Sequence, residues 1–226
     1  MRNLYLGADE LYYLGLYQGI DSIFGVPYHN FGGSTLENLI KKEVLNKEGK
    51  VNNATVGIIE YLKEYMKADI YIHIHQFWFG VFKNGSCITI VEAERKEKKE
   101  YEIFICDILS LTRIAMSHDI FRQSVIKQYN ETIKENDNYK EMEDKYIEDD
   151  ILLIEQYNKA KELEDKLLVG VKGNRYYALD ESLNFINEIE TVNCFKWLTD
   201  HIPQYGKYME VFFQELGVNS GRENCN

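Results

Sequence analysis

The sequence has few of the residues that build disulfide or metal-bridged frameworks. Its four cysteines lie far apart and form no C-x-x-C pair: Cys87, Cys106, Cys194 and Cys225. This usage favours reduced thiols over a zinc site or a disulfide framework. Only two prolines occur, and no Ser/Gly/Pro-rich linker separates one half of the chain from the other. We therefore expect any subdomains to pack against each other.

Long apolar runs and an excess of positive charge are also missing. The apolar stretch over residues 70–82 includes two histidines and a glutamine, and it is shorter than the roughly 18–20 residues that cross a membrane. Residues 1–5 contain no basic region that leads into an apolar one, which argues against a signal peptide. The net charge of −11, from 37 acids and 26 bases, argues against nucleic acid or an anionic membrane as the partner. The sequence predicts a cytoplasmic protein.

Three helices are predicted before residue 70. An acidic start followed by an apolar helical pattern predicts a helix over residues 9–17. Ser34 and Glu37 have the spacing of a capping box, which predicts a second helix that continues to about residue 45. Helical spacing resumes over residues 54–67 and predicts the third helix.

The pattern then changes to that of β-strands. From residue 70 apolar and polar side chains alternate with a period of two. The Asn84-Gly85 pair lies between two such segments and is typical of a type I′ hairpin turn, which needs positive φ at both central residues. Residues 101–106 supply a further strand. The sequence therefore predicts three consecutive antiparallel strands, which form a meander.

The sequence pattern of the second half of the chain predicts mainly helices. One helix follows the meander directly, and one or two long helices are expected over residues 120–167. A short hairpin is predicted over residues 167–179. Asp180 or Ser182 is expected to cap a further helix, and residues 194–216 to form the last one.

The predicted fold class is α+β, with an antiparallel meander sheet and flanking helices, followed by a mainly helical second half with a short hairpin. The predicted subdomains are residues 1–117 and residues 118–226. Residues 131–150 contain nine acids and three lysines, a net charge of −6. This run predicts either the solvated face of a helix or a patch that attracts a basic partner.

Few residues suggest a catalytic or metal-binding site. His73 and His75 would lie on one face of a strand, a geometry that some zinc sites use, but a third ligand is missing nearby. The sequence contains no G-x-S-x-G nucleophile motif and no glycine-rich phosphate loop. We therefore expect a protein without catalysis, cofactor or bound metal, while a metal enzyme that uses the two histidines stays an alternative.

One aromatic stripe suggests a surface for a protein partner. Its predicted members are Tyr71, His73, His75, Phe77 and Phe79, with Asn84 and Gly85 at the hairpin tip beside them. Such a face is too apolar for a solvated sheet and too polar for a dry core. It suits docking, either by helices of the same chain or by the amphipathic helix of a partner.

Two segments of residues 1–115 carry a likeness to a known family: the extended residues 4–6 before the Asp9-Glu10-Leu11 helix, and residues 45–51 before a helix and the strand entered by residues 68–72. The order of elements in residues 1–115 resembles the EspG family of type VII secretion chaperones. Within that group the chain looks most similar to the Firmicute accessory proteins of the DUF5081 type, the EssE/EsaE-like proteins.

This resemblance implies a cytosolic chaperone or adaptor for protein transport. Such a protein would bind a helical secreted substrate of WXG100 or LXG type, keep it competent for export, and hand it to the secretion ATPase. An alternative function is an immunity protein that neutralises a secreted toxin through the acidic residues 141–150. Salt would distinguish the two, because an apolar docking face tolerates high ionic strength and a charged one does not.

Overall fold

The computed structural model describes residues 4–53, 55–95, 98–117, 151–172, 175–189 and 191–208. These residues contain nine strands and five helices. The chain forms two compact units, each assembled from several segments. The first unit comprises residues 1–82, 86–106 and 157–162, and the second comprises residues 83–85, 107–156 and 163–226.

The first unit is built on an antiparallel sheet. Its strands are β1 (Leu6–Gly7), β2 (Ile70–Ile74), β3 (Phe77–Val81), β4 (Ser86–Arg95) and β5 (Lys98–Asp107). They lie in the order β1-β5-β4-β3-β2, so the consecutive strands β2 to β5 form a meander. The predicted meander is therefore confirmed, with one strand more than expected.

The additional strand arises from a hairpin that the period-two pattern hides. Ile74 lies opposite Phe77 in the β2–β3 register, so His75 and Gln76 alone form the turn. His75 has a φ of +50°, the left-handed conformation that tight hairpin turns use. Because neither turn residue is a glycine, asparagine or proline, the alternation runs through the turn without an interruption in the sequence.

The turn at Asn84 and Gly85 is present, but it is not of type I′. The N–H of Phe82 donates to the carbonyl of Ser86 at 3.0 Å and closes a loop of three residues. Gly85 has a φ of +81°, whereas Asn84 does not have a positive φ. Type I′ needs positive φ at both central residues, so this hairpin uses the three-residue loop that ends in one left-handed glycine.

Three helices flank the sheet of the first unit, as the sequence predicts. They are α1 (Ala8–Leu16), α2 (Gly33–Lys41) and α3 (Val56–Tyr65). The cap of α2 differs from the prediction, since the N–H of Gly32 donates to Oγ1 of Thr35 at 3.1 Å. This contact replaces the expected capping box at Ser34 and Glu37, and the helix ends at Lys41 instead of near residue 45.

Aromatic rings cluster around Phe24, which is half-buried and packs against the core of the first unit. Its ring centroid lies 4.8 Å from that of Tyr71, 5.2 Å from that of Trp78 and 4.9 Å from that of Tyr157. The next residue, Gly25, has a φ of +81°, and a Cβ there would lie 2.5 Å from the Trp78 ring. The loop can approach the sheet this closely only with glycine at that position.

A buried carboxylate ties the helices to the sheet. Glu10 is only 2% exposed, and its Oε2 accepts both the N–H of Gly7 and the Nζ of Lys42 at 2.7 Å. The same Nζ reaches the carbonyl of Tyr5 at 2.8 Å and Oε1 of Glu100 at 3.1 Å. Burial by itself would lower the pKa of Lys42, but the hydrogen bonds and charges of Glu10 and Glu100 outweigh it and raise that pKa.

The second unit contradicts the prediction of a mainly helical second half. Its elements are α4 (Ile108–Ser117), β6 (Ile151–Tyr157), β7 (Leu163–Lys172), β8 (Arg175–Leu179), β9 (Phe185–Ile189) and α5 (Thr191–His201). The strands follow the order β6-β7-β8-β9, and β8 pairs antiparallel with both β7 and β9. The hairpin of β7 and β8 and the helix after the meander are confirmed, but the hairpin is part of a larger set of strands.

Two local features explain the error. Residues 151–157 have the strand period, with Leu152, Ile154 and Gln156 buried and their neighbours half-buried, although they follow the acidic run that suggested a helix. Asp180 does not cap a helix. Its Oδ1 accepts the backbone N–H of Ser182 at 2.8 Å and that of Asn184 at 2.9 Å, which closes a turn that leads into β9.

Part of the predicted organisation lies outside the described residues. This applies to the acidic residues 131–150, to the predicted helices over residues 120–150 and to the chain beyond residue 208. The last predicted helix begins at Thr191, three residues before the expected start. None of the helices in the described segments has the length and apolar character needed to cross a membrane.

We predict that Lys42→Met lowers the free energy of unfolding by about 3 kcal/mol, because it leaves the buried Glu10 carboxylate without its cation. Chemical unfolding followed by circular dichroism measures the loss. The matched control is Lys50→Met, since Lys50 pairs with Glu48 on the surface and should change stability by less than about 0.5 kcal/mol. Equal effects of the two substitutions would contradict the role of the buried pair.

We predict that stability falls as the pH rises above about 10. Burial raises the pKa of Tyr71 to about 12 and that of Tyr65 well above its usual value. The unfolded chain would release these phenolic protons first, so the free energy of unfolding declines from about pH 10 to about pH 12. Lys42 acts in the same direction, because its pKa is also raised in the folded chain.

Urea unfolding at several pH values between about 9 and 12 measures this decline. The variant Tyr71→Phe should show a shallower dependence, since it lacks one of the buried phenols. A free energy of unfolding that stays constant over this range, or an unchanged slope in the variant, would refute the prediction.

Candidate functional site

The structure divides the predicted aromatic stripe between two faces of the sheet. In the antiparallel register, His73 lies opposite Trp78, and the two rings stack with centroids 3.8 Å apart. Residues that lie opposite each other share a face, so Tyr71 and His73 share theirs with Trp78. Phe77 and Phe79 lie opposite Ile74 and Ile72 and occupy the other face. The expectation that all five side chains share one face is therefore wrong.

Most members of the stripe are buried. Tyr71 and Phe79 are fully buried and Phe77 is 7% exposed, while His73 and His75 are half-buried. The hydroxyl of Tyr71 donates to the carbonyl of Tyr65 at 3.0 Å. His75 lies in the β2–β3 turn, where its carbonyl contacts Nε2 of His73. A role of these residues in partner binding stays a prediction.

Asn84 and Gly85 belong to the second unit, where Asn84 is exposed and Gly85 is buried. The hydroxyl of Tyr208 donates to the carbonyl of Asn84 at 2.9 Å, and Nε2 of Gln204 donates to the carbonyl of Lys83. A Cβ at Gly85 would lie 2.3 Å from the Tyr208 hydroxyl. Their role in partner binding also stays a prediction.

The two histidines do not assemble a metal site with other side chains in the described residues. No group of three or more His, Cys, Asp or Glu side chains in those segments is placed to hold an ion. His73 stacks on Trp78, and its Nε2 contacts the carbonyl of His75. Both contacts are those of a structural histidine.

A different aromatic surface of the first unit is exposed. We call it the α1 patch, and its members come from α1, from the loop before α2 and from α2 itself. They are Tyr13, Leu16, Tyr17, Tyr28, Phe31 and Leu36. Tyr17 is 50% exposed, Tyr28 is 64% exposed and Phe31 is 43% exposed. Large side chains exposed side by side in this way mark surfaces that bind other molecules.

The rings of the α1 patch hold one another in place. Tyr13 lies edge-on to Tyr17 with centroids 6.1 Å apart, and edge-on to Phe31 at 5.8 Å. Tyr28 packs edge-on against the buried ring of Tyr12 at 5.1 Å. The rings therefore keep a defined arrangement while they remain accessible.

Hydrogen bonds fix two further parts of the α1 patch. The Tyr17 hydroxyl donates to the carbonyl of Gly49 at 3.1 Å, and partial burial together with the neighbouring Tyr13 raises the pKa of Tyr17. At the other end, the Thr35 hydroxyl donates to Oδ2 of Asp9 at 2.6 Å and joins α2 to α1. The α1 patch is neutral and apolar at physiological pH, with an acid at one border.

The sequence contains a signal for this surface. Buried side chains of α1 include Leu11, Tyr12 and Leu14, while Tyr13, Leu16 and Tyr17 fall on the remaining third of the helix. A helix of a small protein that is apolar on both sides must bury both or offer one to a partner. The aromatic stripe predicted on the strands lies elsewhere and does not include these α1 residues.

We predict that Phe77→Ala lowers the free energy of unfolding by about 3–5 kcal/mol, because it empties a buried site. Phe31→Ala, in the α1 patch, should change it by less than about 1 kcal/mol. Thermal and chemical unfolding of the two variants measures the difference. If Phe77→Ala proved as stable as the unmodified protein, the sheet face that carries Phe77 would be a surface and not a core.

Comparison with known proteins gives one match. A model of the family described as "Domain of unknown function (DUF5081)" matches residues 1–202, while no curated protein and no solved structure matches the chain. The match covers both units as far as the first residue after α5, and thus most of the 226 residues. The chain belongs to the DUF5081 family.

Proposed function

We propose that this protein is a cytosolic adaptor or chaperone, without catalysis, that binds a helix of a secreted substrate at the α1 patch. The observation that carries the proposal is the set of ordered aromatic side chains left exposed on α1 and the following loop. The resemblance of residues 1–115 to EspG-type chaperones supplies the class of partner. That class is a helical protein of WXG100 or LXG type, exported by a type VII system.

The fixed arrangement of the aromatic rings favours binding. A side chain that must be immobilised on binding costs about 0.5–1.5 kcal/mol of conformational entropy. Tyr13, Tyr17 and Phe31 are already positioned by contacts with each other and with Gly49. Much of this cost is therefore met before the partner arrives, and aromatic side chains with only two rotatable bonds keep the remainder small.

The geometry of the α1 patch suits a helix. Tyr13, Leu16 and Tyr17 lie on one face of α1, because residues three and four apart lie side by side on a helix. A partner helix with apolar residues at positions i, i+3, i+4 and i+7 can pack its own ridge against this face. The side chains of Phe31 and Leu36 would contact the flank of such a helix.

We predict that substitutions in the α1 patch abolish capture of the partner. The tagged protein is used to isolate partners from the cytosol of its native host at about 0.5 M salt, and mass spectrometry identifies them. The unmodified protein should recover a small helical substrate of WXG100 or LXG type. The double variant Tyr17→Ser/Phe31→Ser should lose it, because the contact area shrinks without a change in charge.

The matched control is Ile105→Ser, which removes an equally exposed apolar side chain, 55% accessible, from β5. It should capture the substrate as the unmodified protein does. Equal capture by the double variant would show that the substrate binds elsewhere, with the predicted stripe residues His73 and His75 as the next to substitute. Recovery of a basic toxin domain at low salt only would favour the immunity function instead.

A further inference from the structure

Two of the four cysteines lie in adjacent strands of the first unit. Cys87 is the second residue of β4, and Cys106 is the last residue but one of β5. The two strands are neighbours in the sheet. Both side chains are thiols, and Cys87 is buried whereas Cys106 is half-buried. Their separation along the sequence hides this proximity, which the pairing of the strands reveals.

The register of β4 and β5 places the two cysteines directly opposite each other. Nearer the turn of this hairpin, the Tyr101 hydroxyl donates to Oε2 of Glu92 at 3.3 Å, as expected for side chains that face each other across two strands. At the other end, the N–H of Ile108 donates to the carbonyl of Gly85 at 3.3 Å. In an antiparallel pair, each step forward on one strand is a step back on the other. Counting inward from either contact brings the two cysteines opposite each other.

A side-chain contact shows that both thiols are on one face of the sheet. Sγ of Cys106 lies 2.9 Å from Oγ1 of Thr89. Thr89 is two residues after Cys87 on β4, so these two side chains share a face. The Cys106 thiol therefore lies on the face that carries the Cys87 thiol. Because a hydroxyl can donate a hydrogen bond and a thiolate accepts one, Thr89 also stabilises the ionised form of Cys106.

The spacing of the strands allows a disulfide at this position, but a strained one. The bond between Ile108 and Gly85 makes them a hydrogen-bonded pair, and the pattern repeats every second residue, so the two cysteines also form such a pair. Their Cα atoms are then about 5.5 Å apart, inside the range of about 4.4–6.8 Å that disulfides use. Their Cβ atoms lie at the wide end of about 4.5–5.5 Å, whereas a disulfide needs about 3.5–4.5 Å. Closing the bond must draw the strands together, and strained disulfides of this kind are the readily reduced, regulatory ones.

We propose that Cys87 and Cys106 form a reversible redox pair, which a low-molecular-weight disulfide such as glutathione disulfide oxidises. Cys106 is the accessible member, so its thiolate attacks one sulfur of the oxidant, whose S–S bond breaks and releases one thiolate. Cys87 needs no contact with the oxidant, because its thiolate attacks the Cys106 sulfur of the mixed disulfide and releases the second thiolate. The protons of the two cysteines pass to the two released thiolates. The protein loses two electrons and gains one disulfide, and the oxidant is reduced to two thiols.

Oxidation of the full-length protein by glutathione disulfide tests this proposal. The reduced protein is equilibrated with increasing ratios of glutathione disulfide to glutathione, alkylated and digested, and mass spectrometry identifies the linked peptides. We expect a peptide pair joined through Cys87 and Cys106, which excess glutathione converts back to two thiols. The matched control is Cys194→Ser/Cys225→Ser, which removes the other two cysteines and should form the same disulfide.

Single variants test the order of the two steps. Cys87→Ala should stop after the first step and accumulate glutathione on Cys106. In Cys106→Ala, the remaining Cys87 should react with glutathione disulfide at least about tenfold more slowly than Cys106 does in the unmodified protein, since Cys87 is buried. Circular dichroism verifies that each variant is folded.

A brief alkylation of the reduced, unmodified protein gives the same order without any substitution, and should label Cys106 before Cys87. The proposal is overturned if glutathione disulfide produces no disulfide between these two residues, or if it links either of them to Cys194 or Cys225 instead. It is also overturned if alkylation labels Cys87 first.

Discussion

The buried carboxylate of Glu10 is the constraint on which the arrangement of the first unit depends. An unpaired charge at 2% exposure would be too costly, so the chain must bring a cation to it. Lys42 at the end of α2 meets this need and also contacts the carbonyl of Tyr5 and the carboxylate of Glu100 on β5. One ion pair therefore sets the positions of α1, α2 and the edge of the sheet. It also sets the rotation of α1 about its axis, because Glu10 must face inward.

The exposure of the α1 patch follows from the side chains that α1 buries. With Leu11 and Gly15 turned toward the core, the helical period places Tyr13 and Tyr17 outside. Turning the helix to bury these two rings would expose Leu11. The chain instead orders them at the surface through edge-on contacts with Phe31 and a hydrogen bond to Gly49. A stability requirement in the core thus produces the surface to which we assign binding.

The sequence predicted those parts of the fold that local residues specify. The three helices before residue 70, the meander and the hairpin of β7 and β8 all have patterns that neighbouring residues set. The β2–β3 turn was not predicted, because His75 adopts a left-handed conformation that its residue type does not indicate. β6 was predicted as part of a helix, because the acidic run before it suggested one although its own buried residues alternate. The candidate site was harder still to predict, since apolar periodicity does not distinguish a side chain that meets the core from one that faces solvent.

The predicted aromatic stripe with its hairpin tip and the α1 patch differ in how a partner could reach them. Tyr71 and Phe79 are committed to the fold, so a partner could reach them only by opening the core. Asn84 is exposed at the hairpin tip, whereas Gly85 beside it is buried against the ring of Tyr208. The α1 patch does not require the core to open, because its rings are exposed and already ordered. A partner can therefore bind there without unfolding any element.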